Sequence, residues 1–117
     1  MKMLRYIVDI DGTICTYKKG IPYKDATPLK GRIKFFNELH DSGQEIIYWT
    51  GRGSFSGVDY SELTKRQLNE WGVKRTELNM CKPSYDYWID DKAFNVDDFF
   101  VTDTRTGETL AQRHYDI

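Results

Sequence analysis

Two cysteines in 117 residues do not make a disulfide framework, and Cys15 and Cys81 lack the spacing of a thiolate metal site. Both are expected to stay reduced and to pack as small hydrophobes. The only histidines, His40 near a helix end and His114 in the tail, read as surface residues, which leaves a zinc centre without ligands. Charge of one sign is missing as well. The 17 basic and 18 acidic residues leave a net −1, too little to draw the whole protein onto nucleic acid or an anionic membrane. No apolar run approaches transmembrane length, and the opening MKMLRYIVDIDGT puts acids where a signal peptide needs an uncharged core. A cytoplasmic protein is the expectation. Repeats, low-complexity tracts and linker-like stretches are absent, so residues 1–117 read as one domain.

What is present is an alternation of strand and helix signals. Residues 4–10 are short and mostly apolar, as in a strand buried on both faces, and end in Asp9-Ile10-Asp11-Gly12. A Tyr-, Lys- and Gly-rich flap follows at about 14–26, with Lys18, Lys19 and Lys24 on a solvated face. Thr27 and Pro28 predict a helix entry; Leu29, Ile33, Phe36 and Leu39 share one helical face, and Asp41-Ser42-Gly43 supplies the stop. Residues 45–49 form a second apolar strand running into Thr50-Gly51-Arg52-Gly53. A second helix is predicted from near Asp59, where Asp59 and Glu62 have capping-box spacing, with Tyr60, Leu63, Leu68 and Trp71 as its apolar stripe. Further strands are predicted at 78–81, before Lys82-Pro83, and at 85–89, before Asp90-Asp91. A helical turn at 92–98 and extended pieces at 99–103 and 108–113 complete the chain, the last belonging to an extension of about 99–117. Tyr85, Tyr87, Trp88, Phe99 and Phe100 read as core or subunit contacts.

This order predicts an α/β fold with a mostly parallel sheet covered by helices, whose ligands gather at the carboxyl ends of the strands. Right-handed crossovers would bring Asp9, Asp11, Thr50, Lys82 and the Asp90-Asp91 pair to one rim. Four carboxylates on one rim need a balancing cation, and an all-oxygen donor set suits magnesium. Asp9 and Asp11, two apart on an extended segment, face the same side, and Gly12 lets the chain turn away. One acid can attack phosphorus while the other carries the leaving-group proton. Lys82 can neutralise the phosphate, and the Thr50 hydroxyl with the amides near Gly51 can hold its oxygens. Arg52 is open between a substrate contact and a surface salt bridge. The bland alternatives are an Asx turn at 9–12, a helix cap at Asp90-Asp91 and a loop lysine at 82.

The string DIDGT at 9–13, the apolar strand ending in Thr50, Lys82 before a proline, and IDD at 89–91 resemble the four motifs of the haloacid dehalogenase superfamily of phosphatases, over residues 4–98. The resemblance implies Asp9 as nucleophile, Asp11 as general acid and base, and phosphate contacts from Thr50 and Lys82. It further implies Mg2+ held by Asp9, the Asp11 carbonyl and Asp91, with Asp90 behind. The implied fold is a Rossmann-like three-layer sandwich. Residues 14–49 and 51–81 leave no room for a cap domain, so a capless type is expected. IIYWTGRG, QLNEWGV and KPSYDYWIDDKA are similar to small phosphatases of bacterial capsule and surface-polysaccharide gene clusters, implying a small sugar or polyol phosphate as substrate. A phosphatase of nucleic-acid ends or phosphoproteins, and a non-catalytic phosphate-binding module, are the competing readings. With 15% aromatic residues on so small a domain, a homo-oligomer is expected.

Overall fold

In the computed structural model, which describes residues 3–100, the most apolar strand lies in the middle of the sheet. β2 (Glu45–Trp49) carries Ile46, Ile47 and Tyr48 in a row, all buried, as a strand covered on both faces requires. β1 (Arg5–Val8) pairs with it in parallel, Arg5 opposite Glu45 and Val8 opposite Tyr48. β3 (Glu77–Asn79) pairs in parallel on the other side, Ile47 opposite Glu77. The described residues thus form a small α/β structure built on a three-stranded parallel sheet of order β1-β2-β3. The chain divides at Tyr85/Asp86 into two units.

In the first unit, α1 (Lys30–Asp41) packs on β2 and buries Ile33, Phe35, Phe36 and Leu39. Phe36 meets Tyr48 edge-on at 6.5 Å. Each such buried apolar side chain contributes about 1.5–3 kcal/mol. The helix stops as its sequence predicts, with Ser42 N–H donating to Glu38 O and Gly43 N–H to His40 O, both at 3.0 Å. Its entry differs from the expectation. Thr27 and Pro28 do not cap it, because the flap base has taken their backbone: Thr16 N–H donates to Thr27 O at 2.9 Å, Leu29 N–H to Ile14 O at 2.8 Å, and Cys15 bridges to Pro28. The flap is therefore hairpin-like at its base, with a 3-10 turn at Tyr23–Asp25 and exposed lysines at 18, 19 and 24.

α2 (Ser61–Glu70) also departs from its expected details. Asp59 Oδ1 accepts from Ser61 N–H at 2.9 Å and from its hydroxyl at 2.6 Å, turning the chain before the helix instead of forming a box with Glu62. The buried face is Thr64, Gln67 and Leu68, while Leu63 is only half-buried. β1 is shorter than residues 4–10 and is not buried on both faces. It lies at the edge of the described sheet with a ladder partner on one side, and Ile7 is 57% exposed.

In the second unit, the turn expected at 92–98 is realised as α3 (Val96–Phe99), whose cap is Asn95, accepting from Asp97 N–H at 2.9 Å; Asp90 and Asp91 do not cap it. Residues 85–89 do not form a strand. Aromatic and β-branched residues favour a strand only where a ladder and a packed face receive them, and residues 83–90 are all exposed. Tyr85, Tyr87 and Trp88 are accordingly surface residues and not core. Phe99 closes α3 instead of opening a strand, and packs edge-on against Phe100 at 5.1 Å. The rest of the expected pieces at 99–103 and 108–113, with His114, lies outside the described residues. Among the described residues no helix is long and apolar enough to cross a membrane.

Candidate active site

Three strand ends of the first unit supply the site. At the end of β1, Val8 and Ile10 are buried in the core, while Asp9 stays half-exposed and Asp11 is mostly buried. Gly12, at φ +78°, makes the sharp exit: Thr13 and Ile14 N–H both donate to Ile10 O at 3.0 Å, and Gly12 N–H donates to Cys15 O at 2.9 Å. Asp9 Oδ1 accepts from Ile10 N–H at 2.8 Å, which leaves Oδ2 towards Lys82, whose Nζ is 3.7 Å away. Burial raises the Asp9 carboxyl above its ordinary value, Lys82 pulls it back, and the Asp11 charge adds to the rise.

Lys82 is held by the loop after β2. Thr50 N–H donates to Asn79 O and Lys82 N–H to Thr50 O, both at 3.0 Å, while the Ser54 hydroxyl donates to Lys82 O at 2.6 Å. Gly51 lies so close to Lys82 that a Cβ there would meet its carbonyl oxygen at 3.4 Å. Just before Lys82, Cys81 adopts the left-handed backbone at φ +67°, a conformation that non-glycine residues adopt only when the surroundings impose it. Cys81 is exposed, which corrects the expectation of a packing thiol; Cys15 is buried, as expected. Thr50 is fully buried, and its hydroxyl accepts from Arg52 N–H at 3.1 Å.

The Arg52 side chain is enclosed, so its ion pair is not a surface salt bridge. Its side chain is 0% exposed and forks onto Asp11, Nε to Oδ2 and Nη2 to Oδ1, both at 2.9 Å. The remaining nitrogen, Nη1, donates to Thr64 Oγ1 at 3.2 Å and to Gln67 Oε1 at 2.5 Å. The Tyr23 ring covers the guanidinium at 4.8 Å. Burial works against the Arg52 charge, but the bonds and charge of Asp11 outweigh it and leave the pKa above the ordinary arginine value. A planar fork with five donors is what this enclosure demands, and lysine could not fill it.

Sequence reasoning missed Tyr23, Thr64 and Gln67. The signal for the last two was their i, i+3 spacing alongside Leu68, a polar pair on a buried helical face; the Tyr60, Leu63, Leu68 and Trp71 stripe drew attention to the adjacent one. Tyr23 had no signal beyond the flap's composition. Asp90 and Asp91 belong to the second unit, where both are exposed and Asp90 Oδ1 accepts from Lys92 N–H at 2.8 Å, lowering the Asp90 carboxyl pKa.

Among the described residues no group of three or more His, Cys, Asp or Glu side chains is gathered to hold a metal. In the first unit the Asp11 carboxylate is taken by Arg52, so the donors left for a cation are the Asp9 carboxylate and the Asp11 backbone carbonyl. Magnesium needs only one or two carboxylates with waters and a phosphate oxygen, so this hard-oxygen pair fits it and does not fit zinc. An open concavity of about 570 Å³, lined among others by Lys65, Lys74, Arg75 and Glu77, contains none of these site residues. Its Lys74 is paired with Asp41 at 2.8 Å and its Arg75 is bonded to Asn69 at 3.0 Å.

The crystal structure of a target protein from Vibrio cholerae is similar to this chain, with a TM-score of 0.75 and 24% sequence identity over 88% of this chain and 92% of that one. At that identity the likeness speaks for the fold. No family model matches the sequence, nor does any curated protein.

Proposed function

We propose that the protein is a capless, Rossmann-like phosphohydrolase of the haloacid dehalogenase type, cleaving phosphate monoesters through an aspartyl-phosphate on Asp9. The observation that carries this reading is the pairing of two acids with unlike surroundings on one turn. Asp9 is half-exposed with Oδ2 3.7 Å from Lys82, and Asp11 is clamped by Arg52. A half-exposed acid beside a cation suits attack on an anionic phosphoryl group, since the ammonium offsets the repulsion between two negative groups. Asp9 Oδ2 forms the bond to phosphorus. The ester P–O bond breaks with its electron pair on the leaving oxygen, which takes a proton from Asp11. Water then attacks the phosphorus, the Asp9–phosphate bond breaks with its pair returning to Asp9, and Asp11 takes the water proton.

The Asp9 carboxylate and the Asp11 carbonyl would hold Mg2+. When bound, the ion supplies positive charge against the phosphoryl oxygens. Thr50 orients the loop amides at 51–52, Arg52 N–H being already fixed on its hydroxyl. The substrate class proposed is a small sugar or polyol phosphate, for which the exposed Lys18, Lys19 and Lys24 provide local attraction.

The test is turnover of 4-nitrophenyl phosphate with magnesium, with and without chelator, in the wild type and in Asp9→Asn. The expected result is chelator-sensitive turnover that Asp9→Asn lowers by at least about 1,000-fold. Comparable turnover in a folded Asp9→Asn variant would remove the nucleophile assignment.

A further inference from the structure

We propose that Gln67 ties the position of the Asp11 carboxylate to the flap turn at Tyr23 through Arg52, so that Gln67 and Arg52 are positioning residues for proton transfer at Asp11. The inference rests on the phosphatase reading and adds to it a device that no motif announces.

Gln67 is 5% exposed, and both ends of its amide are used. Oε1 accepts from Arg52 Nη1 at 2.5 Å, and Nε2 donates to Tyr23 O at 2.7 Å. A buried amide is costly unless satisfied, so this side chain stays in place only while both partners do. The flap also reaches Arg52 a second way, through the Tyr23 ring at 4.8 Å, itself braced edge-on by Tyr60 at 4.9 Å. Two contacts from one flap residue, one to the face of the guanidinium and one through Gln67 to its edge, define the plane of the fork.

That plane decides which atom of Asp11 carries a proton. An ionised carboxylate offers about four lone-pair sites. The fork takes one on each oxygen, and the Cys15 thiol, with Asp11 Oδ1 at 3.5 Å and Ile10 O at 3.6 Å as its two acceptors, crowds Oδ1, which leaves Oδ2 the more open. The geometry assigns Oδ2 as the oxygen that gives its proton to the leaving group and recovers one from water. Loosening the flap tilts the fork and misaims that oxygen. The loss falls on esters whose leaving alkoxide needs the proton, and spares an aryl oxide stable enough to leave without it.

The experiment compares the full-length wild type with Gln67→Met, which removes both bonds at similar volume, and with Gln67→Glu, which keeps the acceptor for Arg52 and loses the donor to Tyr23. Turnover of a primary alkyl phosphate is measured against 4-nitrophenyl phosphate, both with magnesium, alongside hydrogen exchange at the flap amides of Asp25 and Ala26. Gln67→Met is expected to lower alkyl turnover by about 10- to 100-fold, part of the roughly 100- to 10,000-fold that general acid catalysis contributes, while aryl turnover stays within about 3-fold. Gln67→Glu keeps more of the alkyl turnover, and both variants speed flap exchange without altering that of α1. A loss shared equally by the two esters, or flap exchange no faster than in the wild type, overturns the proposal. A wild type inert toward both esters sinks the phosphatase reading instead, and flap exchange alone then decides the tie.

Discussion

Arg52 and Asp11 meet through two parallel hydrogen bonds of 2.9 Å, with the guanidinium wholly enclosed and the carboxylate 16% exposed. Removing one member of such a pair strands a charge away from water. Arg52→Met is expected to cost about 3–5 kcal/mol of stability, and Arg52→Lys less, since it restores the charge without the fork. Urea midpoints measure both. A loss under about 1 kcal/mol in Arg52→Met would show that the fork is not a structural necessity.

Asp9 gives a pH dependence of known sign. Its folded-state pKa is raised above 3.8, first by burial, against the pull of Lys82. The stability this group contributes is therefore fully present below about 3.8 and is lost as pH rises through the higher folded value. Asp9→Asn should gain on the wild type in thermal midpoint as pH goes from about 3.5 to 7, the reverse of a stabilising carboxylate. Lys82→Met removes the opposing charge and should move the acid limb of the pH–rate profile further up. An acid limb that moves down in Lys82→Met contradicts the pairing.

The loop that holds Lys82 depends on Gly53. Its φ is +82°, and a Cβ there would lie 2.0 Å from the Val58 carbonyl oxygen. Gly53→Ala is expected to cost about 3 kcal/mol through strain and backbone collision. Gly31 in α1 has nothing within 4 Å of a Cβ, so Gly31→Ala should instead stabilise by roughly 0.5–1 kcal/mol. Chemical denaturation of the two variants should give opposite signs.

The parts legible in the sequence were those written as contiguous patterns. β2 appears where three consecutive apolar residues demanded cover, α1 stops where Asp41-Ser42-Gly43 stand, and Gly12 turns the chain after the acids. Asp9, Thr50 and Lys82 come together because each follows a strand of one parallel sheet. What local pattern did not carry was competition for backbone groups and enclosure of polar ones. Thr27 and Pro28 look like a helix entry but are claimed by the flap, and the aromatic run at 85–89 has strand composition without a packed face. Arg52 reads in the sequence as either a substrate contact or a surface salt bridge, because nothing adjacent to it hints that Thr64 and Gln67, 12 and 15 residues away, line its enclosure.

The two thiols differ in a way that experimenters can exploit. Cys15 is shut inside beside Asp11 and Arg52, and burial pushes its pKa up to about 12, whereas Cys81 stands in the open one residue before Lys82. A maleimide dye or nitroxide offered at neutral pH has one address on the native chain. That address is next to the cation proposed to greet the phosphate, so unmutated protein can be made to report on arriving anions by fluorescence or electron spin resonance.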